Sequence, residues 1–158
     1  MSGAIQVLRL EIGSDRRAFE ERADELVTCN LTPKGTDPNL LARAAVALHH
    51  GYGAIESALA RIAKVFCTEP AGGNWHRSLL ETMSMEVPGI RPAILTPTNL
   101  PALRDLLAFR HFFRHAYSVP LDPARLCSLR ERVNEVRPQL LADFDRLDAW
   151  LASVGARS

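Results

Sequence analysis

The chain has 158 residues, of which 47% are hydrophobic, and a formal net charge of +1. This length favours a single domain, residues 1–158, that can bury a core. The balanced charge excludes a global attraction to nucleic acid, so any basic surface must be local. The three cysteines are scattered without a CxxC pair, which argues against a disulfide scaffold or a zinc site. No apolar run approaches the roughly 20 residues of a membrane span, and the N-terminus lacks the apolar segment of a signal peptide, so we expect a cytoplasmic protein.

Prolines and glycines divide the sequence into segments with helical periodicity. Asp37 and Asp122 are suitable N-caps, and Pro38 and Pro123 directly after them suit the first residue of a helix. Pro120 disfavours helix in the residue before it, so the fourth helix must end near residue 118. The predicted helices cover about residues 4–28, 38–67, 75–86, 98–118 and 123–153. The sequence therefore predicts an all-α, up-and-down bundle of about five helices.

Local features of these segments carry further expectations. Gly51 and Gly53 interrupt the second helix, and we expect them to permit a close helix approach or a kink. Asn74 is the predicted cap of the short third helix. Pro138 lies inside the last helix and is a candidate for a kink. Residues 87–99 contain too many prolines for a helix and form a rigid connector.

The stretch "AFRHFFRHAY" in the fourth helix contains an arginine in an unusual place. On a helical wheel, Leu103 and Leu106 flank Arg110, which projects from the apolar side of the helix. A buried guanidinium is costly unless an anion meets it. One interpretation is a snorkelling arginine or a structural ion pair with a carboxylate on another helix. The other is a guanidinium held for an incoming phosphate, which its planar fork and permanent charge suit.

The histidines of this stretch permit more than one kind of chemistry. His111 and His115 are four residues apart and share a helix face, so they could ligate a metal. Two ligands do not make a site, and no Glu-x-x-His occurs in the chain, so we predict no metal. Arg110 and His115 diverge by roughly 140° on a straight helix. They converge only if the helix ends or distorts near His115, or if two copies of the helix face each other across a two-fold axis.

The residues from Arg110 to Tyr117 read as Arg, four residues, His, one residue, Tyr. This pattern resembles the motif of HEPN-domain ribonucleases, in particular HepT-like toxins, and His111 fits the polar residue that the pattern prefers after the arginine. The segments "HHGYGAIESALARIAKVF" and "NWHRSLLETMSMEVPGIRPAILTPTNLPALRDLLAFRHFFRHAY" are similar to the long helix and the central part of HepT-like proteins. The resemblance covers about residues 38–150. The extended N-terminal helix and the insertion "GGNWHRSLLETMSMEVPGIRP" depart from it.

The resemblance implies a homodimer in which the motifs of both chains line one cleft and cleave RNA without a metal or other cofactor. Arg110 and His115 would be catalytic, and His111, Arg114 and Tyr117 would support RNA binding. An imidazole can move a proton near neutral pH, and an arginine can stabilise the developing phosphate charge. The implied partner is an MntA-like nucleotidyltransferase antitoxin, which in HepT systems transfers AMP onto the motif tyrosine, here Tyr117.

Two alternatives to an RNA-cleaving toxin remain open. The chain could be a non-catalytic HEPN-like module that binds a nucleotidyltransferase partner or nucleotides. It could also be a structural helical dimer without an active site. The presence of both Arg110 and His115 favours a nuclease over the non-catalytic module.

Overall fold

The computed structural model describes residues 2–35, 37–116 and 119–157. Its five α-helices are α1 Ser2–Thr28, α2 Pro38–Val65, α3 Trp75–Met83, α4 Leu100–His115 and α5 Pro123–Ala156. A 3-10 turn, Pro97–Asn99, precedes α4. The described ranges hold no strand, only an isolated bridge between Val87 and Arg91. The predicted all-α bundle of about five helices is confirmed. None of the helices in these ranges combines the length and apolar character needed to cross a membrane.

Side-chain caps begin two of the longer helices where the sequence predicts them. The Asp37 carboxylate accepts a hydrogen bond from the Asn39 amide at 3.0 Å, and the Asp122 carboxylate accepts one from the Ala124 amide at 3.0 Å. Each such cap contributes about 1 kcal/mol. The prediction that the Asn74 side chain caps α3 is wrong. Asn74 precedes α3, but its φ of −102° and ψ of 35° lie outside the extended region that capping side chains use, and no side-chain cap bond forms.

Helix α2 is the central element and packs against all four other helices. It runs antiparallel to α1, and the two helices come close at Gly51, since a Cβ built there would stand 3.3 Å from the Arg22 Cβ. A Cβ on Gly53 would meet nothing within 4 Å. The predicted close approach is therefore present at Gly51 and absent at Gly53. Helix α5 continues without a break through Pro138.

Helix α4 presents its apolar side to the core as the helical wheel predicts. Leu103, Leu106 and Phe109 are buried, whereas His111 and His115 on the other side are exposed. The helix ends at His115, earlier than predicted, and the Ala116 backbone leaves the helical region with φ −92° and ψ 54°. The basic side chains of the last turn stabilise this end, because they interact favourably with the negative end of the helix dipole.

Buried polar contacts fix the connector between α3 and α4. Arg91 is 3% exposed and donates to the backbone oxygens of Thr82 and Met85, each at 2.9 Å. This contact lies at the end of α3, which stops at Met83 and not at the predicted residue 86. Asp143 of α5 is 1% exposed and accepts hydrogen bonds from the Thr96 backbone amide and the Asn99 side chain, at the other end of the connector. The connector thereby holds α3 in a fixed position beside α4.

Candidate active site

Arg110 forms an ion pair with a carboxylate on another helix. Its Nη1 donates to Glu56 Oε1 of α2, and the side chains are only 17% and 9% exposed. The guanidinium also lies 5.9 Å from the ring centroid of Tyr52, one turn before Glu56. The Nε of Arg110 is buried and has no hydrogen-bond partner among the described residues. The ion pair that one interpretation of the sequence predicts is present, and the guanidinium keeps unused donors.

Glu56 joins Arg110 to a histidine of the third helix. Its second oxygen, Oε2, lies 2.8 Å from Nδ1 of His76. A carboxylate only accepts hydrogen bonds, so Nδ1 of His76 carries the hydrogen and, in the neutral ring, Nε2 carries the free lone pair. The His76 side chain is 36% exposed. One buried carboxylate thus holds a guanidinium and an imidazole that come from two different helices.

The imidazole of His111 continues this cluster along α4. Its ring packs edge-on against the His76 ring, with the centroids 5.2 Å apart. Burial of the ring, and then the charges of His76, Arg110 and Arg114, lower the pKa of His111, and Glu56 opposes this effect. These neighbours favour the neutral form of His111, which can accept a proton or a hydrogen bond.

His115 lies at the exposed C-terminal end of α4, one turn beyond His111. Its Nδ1 donates to the backbone oxygen of His111 at 2.8 Å. A carbonyl oxygen is also only an acceptor, so in the neutral His115 ring the Nε2 lone pair is free. This nitrogen is therefore available to accept a proton from a substrate.

The structure does not bring Arg110 and His115 into contact. In the described part of the chain no hydrogen bond or ring contact joins them, and Arg110 instead contacts Glu56 and the ring of Tyr52. The sequence suggests two ways of bringing them together. The first, a helix end near His115, is present but does not join the two side chains within one chain. The second, two α4 helices that face each other across a two-fold axis, stays a prediction. Tyr117 lies outside the described residues.

Arg114, the remaining predicted site residue in the described part of the chain, takes no part in the hydrogen bonds of this cluster. Arg114 is exposed in the last turn of α4. Half-buried Phe113 contacts the His49 ring at 5.4 Å, and burial lowers the pKa of His49. Across the described ranges, no group of three or more His, Cys, Asp or Glu side chains is placed to hold a metal ion.

Sequence reasoning missed Glu56 and His76. A signal for Glu56 existed, because it is the sole acidic residue of α2 and interrupts the apolar stripe of that helix. His76 had no comparable signal. It lies on α3, and only the packing of α3 against α2 and α4 brings it to the cluster.

The fold and this cluster define a class: an all-α bundle that holds a charged, histidine-rich site where three of its helices meet. A comparison with protein families matches the model described as "HepT-like protein" to residues 43–151, more than half of the chain. The chain belongs to the HepT-like family. No curated protein and no solved structure matches it. The matched segment includes all residues of the cluster and omits α1.

Proposed function

We propose that this chain is the toxin of a toxin–antitoxin pair and cleaves RNA as a metal-independent endoribonuclease. The observation that carries the proposal is the guanidinium of Arg110, which shares the buried carboxylate of Glu56 with the imidazole of His76 and lies on a helix whose motif resembles that of HEPN ribonucleases. Family membership and the match to the Arg-x4-His-x-Tyr pattern support the same activity.

RNA cleavage suits these residue types because the substrate brings its own nucleophile, the 2′-hydroxyl. The reaction needs groups that move protons and a cation that stabilises the phosphorane. Arg110 is the proposed phosphate-binding cation, and His115, with a free Nε2, is the proposed proton-transfer residue. His111 and Arg114 are proposed to position the RNA backbone, and Tyr117 to stack on a base or orient His115.

The ion pair with Glu56 is compatible with phosphate binding by Arg110. A guanidinium carries five N–H donors, and the contact with Glu56 engages Nη1. Nε is buried, so Nη2 is the nitrogen that can bind a phosphate oxygen while Glu56 fixes the plane of the group. A guanidinium held in this way is already oriented when the substrate arrives, which is the condition for effective electrostatic stabilisation.

We further propose that an MntA-like nucleotidyltransferase neutralises the toxin by transferring AMP onto Tyr117. Intact-mass measurement after incubation with that antitoxin and ATP should show the mass of one adenylyl group. The gain should disappear in Tyr117→Phe and persist in Tyr52→Phe. A full gain of mass in Tyr117→Phe would place the modification on another residue.

The second candidate function is a non-catalytic HEPN-like module that binds a nucleotidyltransferase or nucleotides. One observation favours it: the charge of Arg110 is already balanced by the buried carboxylate of Glu56. In this case Arg110 would serve the fold, and binding to the partner would not require His115.

Cleavage of RNA in the presence of excess EDTA separates the two candidates. The nuclease should cut RNA at the same rate with and without chelator, and leave ends with a 2′,3′-cyclic phosphate and a 5′-hydroxyl. A preparation that binds the nucleotidyltransferase but leaves RNA intact would support the non-catalytic module. Activity that EDTA removes and zinc or manganese restores would contradict the metal-independent mechanism.

A further inference from the structure

His76, which Glu56 binds through its second oxygen, has no role in a reaction that uses only Arg110 and His115. A buried carboxylate that holds Nδ1 of an exposed imidazole is an arrangement that fixes the ring and its tautomer. The His76 side chain is 36% exposed, so a ligand can reach the ring. Its Nε2 makes no hydrogen bond among the described residues, since the contact with Glu56 engages Nδ1.

We propose that His76 is a second proton-transferring residue of the RNA cleavage, held by Glu56 and acting together with His115. The proposal rests on the proposed nuclease function. Two distances support it: His76 lies 2.8 Å from the carboxylate that also binds Arg110, and its ring is 5.2 Å from that of His111. His111 and His115 are one turn apart on the same face of α4, where neighbouring Cβ atoms are about 5–6 Å apart. The three imidazoles therefore form a row on one side of α4.

Cleavage at a phosphodiester requires two proton transfers, which a single histidine cannot perform at the same time. One imidazole takes the proton of the 2′-hydroxyl while the 2′-oxygen forms a bond to phosphorus. The other gives a proton to the 5′-oxygen while the bond between phosphorus and that oxygen breaks. The products are a 2′,3′-cyclic phosphate and a 5′-hydroxyl, and no proton is gained or lost by the protein. In the proposal, His76 and His115 supply the two groups, and Arg110 binds the phosphate.

Glu56 positions both Arg110 and His76 through its two oxygens. Arg91 of the connector binds the backbone oxygens of Thr82 and Met85 at the C-terminal end of α3, and Glu56 holds His76 at the start of the same helix. Helix α3 thus contributes a residue to the site.

The test compares His76→Ala, His76→Asn and His115→Ala in RNA cleavage with EDTA. The asparagine amide can still donate to Glu56 near the position of Nδ1, but it cannot transfer a proton. His50→Ala is the matched control, since His50 is an exposed histidine of α2 without contact to Glu56 or Arg110. Both substitutions of His76 should lower the cleavage rate by about 10²–10⁴-fold, and the control should cleave like the parent. The affinity of the His76 variants for uncleavable 2′-O-methyl RNA should equal that of the parent.

The outcomes separate this proposal from the nuclease function on which it rests. If the parent cleaves RNA, His115→Ala is inactive and His76→Ala cleaves at the parental rate, His76 has no catalytic role and the nuclease function stands. Full activity of His76→Asn beside an inactive His76→Ala would also overturn the proposal, because the role would then be that of a hydrogen-bond donor to Glu56. A parent chain that leaves RNA intact refutes the nuclease function, and the role of His76 with it.

Discussion

Replacing either Arg110 or Glu56 alone should destabilise the fold strongly, because the remaining side chain would be buried without its counter-charge. The two side chains are 17% and 9% exposed. Removal of one member of a buried pair costs about 3–5 kcal/mol. We expect the lower end, about 3 kcal/mol, since Arg110 keeps some contact with water and Glu56 keeps its hydrogen bond to His76. Replacement of both by apolar residues of similar volume should recover most of this loss.

Urea unfolding of Glu56→Leu, Arg110→Met and the double variant measures this coupling. A loss of about 3 kcal/mol should lower the unfolding midpoint by roughly 1 M, given slopes of about 2–3 kcal/mol/M for a chain of this size. The control is Arg77→Met, which breaks an exposed pair with Glu81 on the surface of α3 and should cost below about 0.5 kcal/mol. The reasoning is refuted if each single variant is as stable as the control, or if the two losses simply add in the double variant.

Four further outcomes follow from the packing and the charges. Gly53→Ala should raise the melting temperature by about 2–4 °C, as about 1 kcal/mol does in a domain of this size, whereas Gly51→Ala should gain less or lose stability against Arg22. Tyr52→Phe should stabilise the fold by about 1 kcal/mol in urea unfolding, since the buried hydroxyl has no partner among the described residues; a loss of stability would reveal one. Burial lowers the pKa of His49, so the unfolded chain binds its proton first, and stability should fall as the pH drops below about 6.5, less steeply in His49→Gln. Sedimentation should show a homodimer, and a stable monomer at micromolar concentration would remove the shared cleft.

The helices follow from the sequence because local chemistry decides where they begin. Asp37 and Asp122 each precede a proline, and both cap the helix that follows. Both α3 and α4 end earlier than the sequence predicts, and for α3 the reason is a contact with a residue outside the helix. The end of α3 lies against Arg91, which returns from the connector to bind its carbonyl oxygens.

The site was predictable only in part. The wheel places Arg110 on the apolar side and requires an anion for it, and this requirement holds. The identity of the anion could not be derived, because Glu56 lies 54 residues away and reaches Arg110 only through the packing of α2 on α4. His76 is distant for the same reason, so periodicity within one helix gives no information about it.

Cleavage of RNA by purified parent and His115→Ala chains, side by side in EDTA, tests the proposed activity most directly. The parent should cut RNA, and the variant should be slower by about 10²–10⁴-fold while its circular dichroism and sedimentation remain those of the parent. Arg110→Ala is a poorer test, because the loss of the buried ion pair also affects the fold. Equal cleavage rates in the parent and a correctly folded His115→Ala chain would contradict the catalytic assignment.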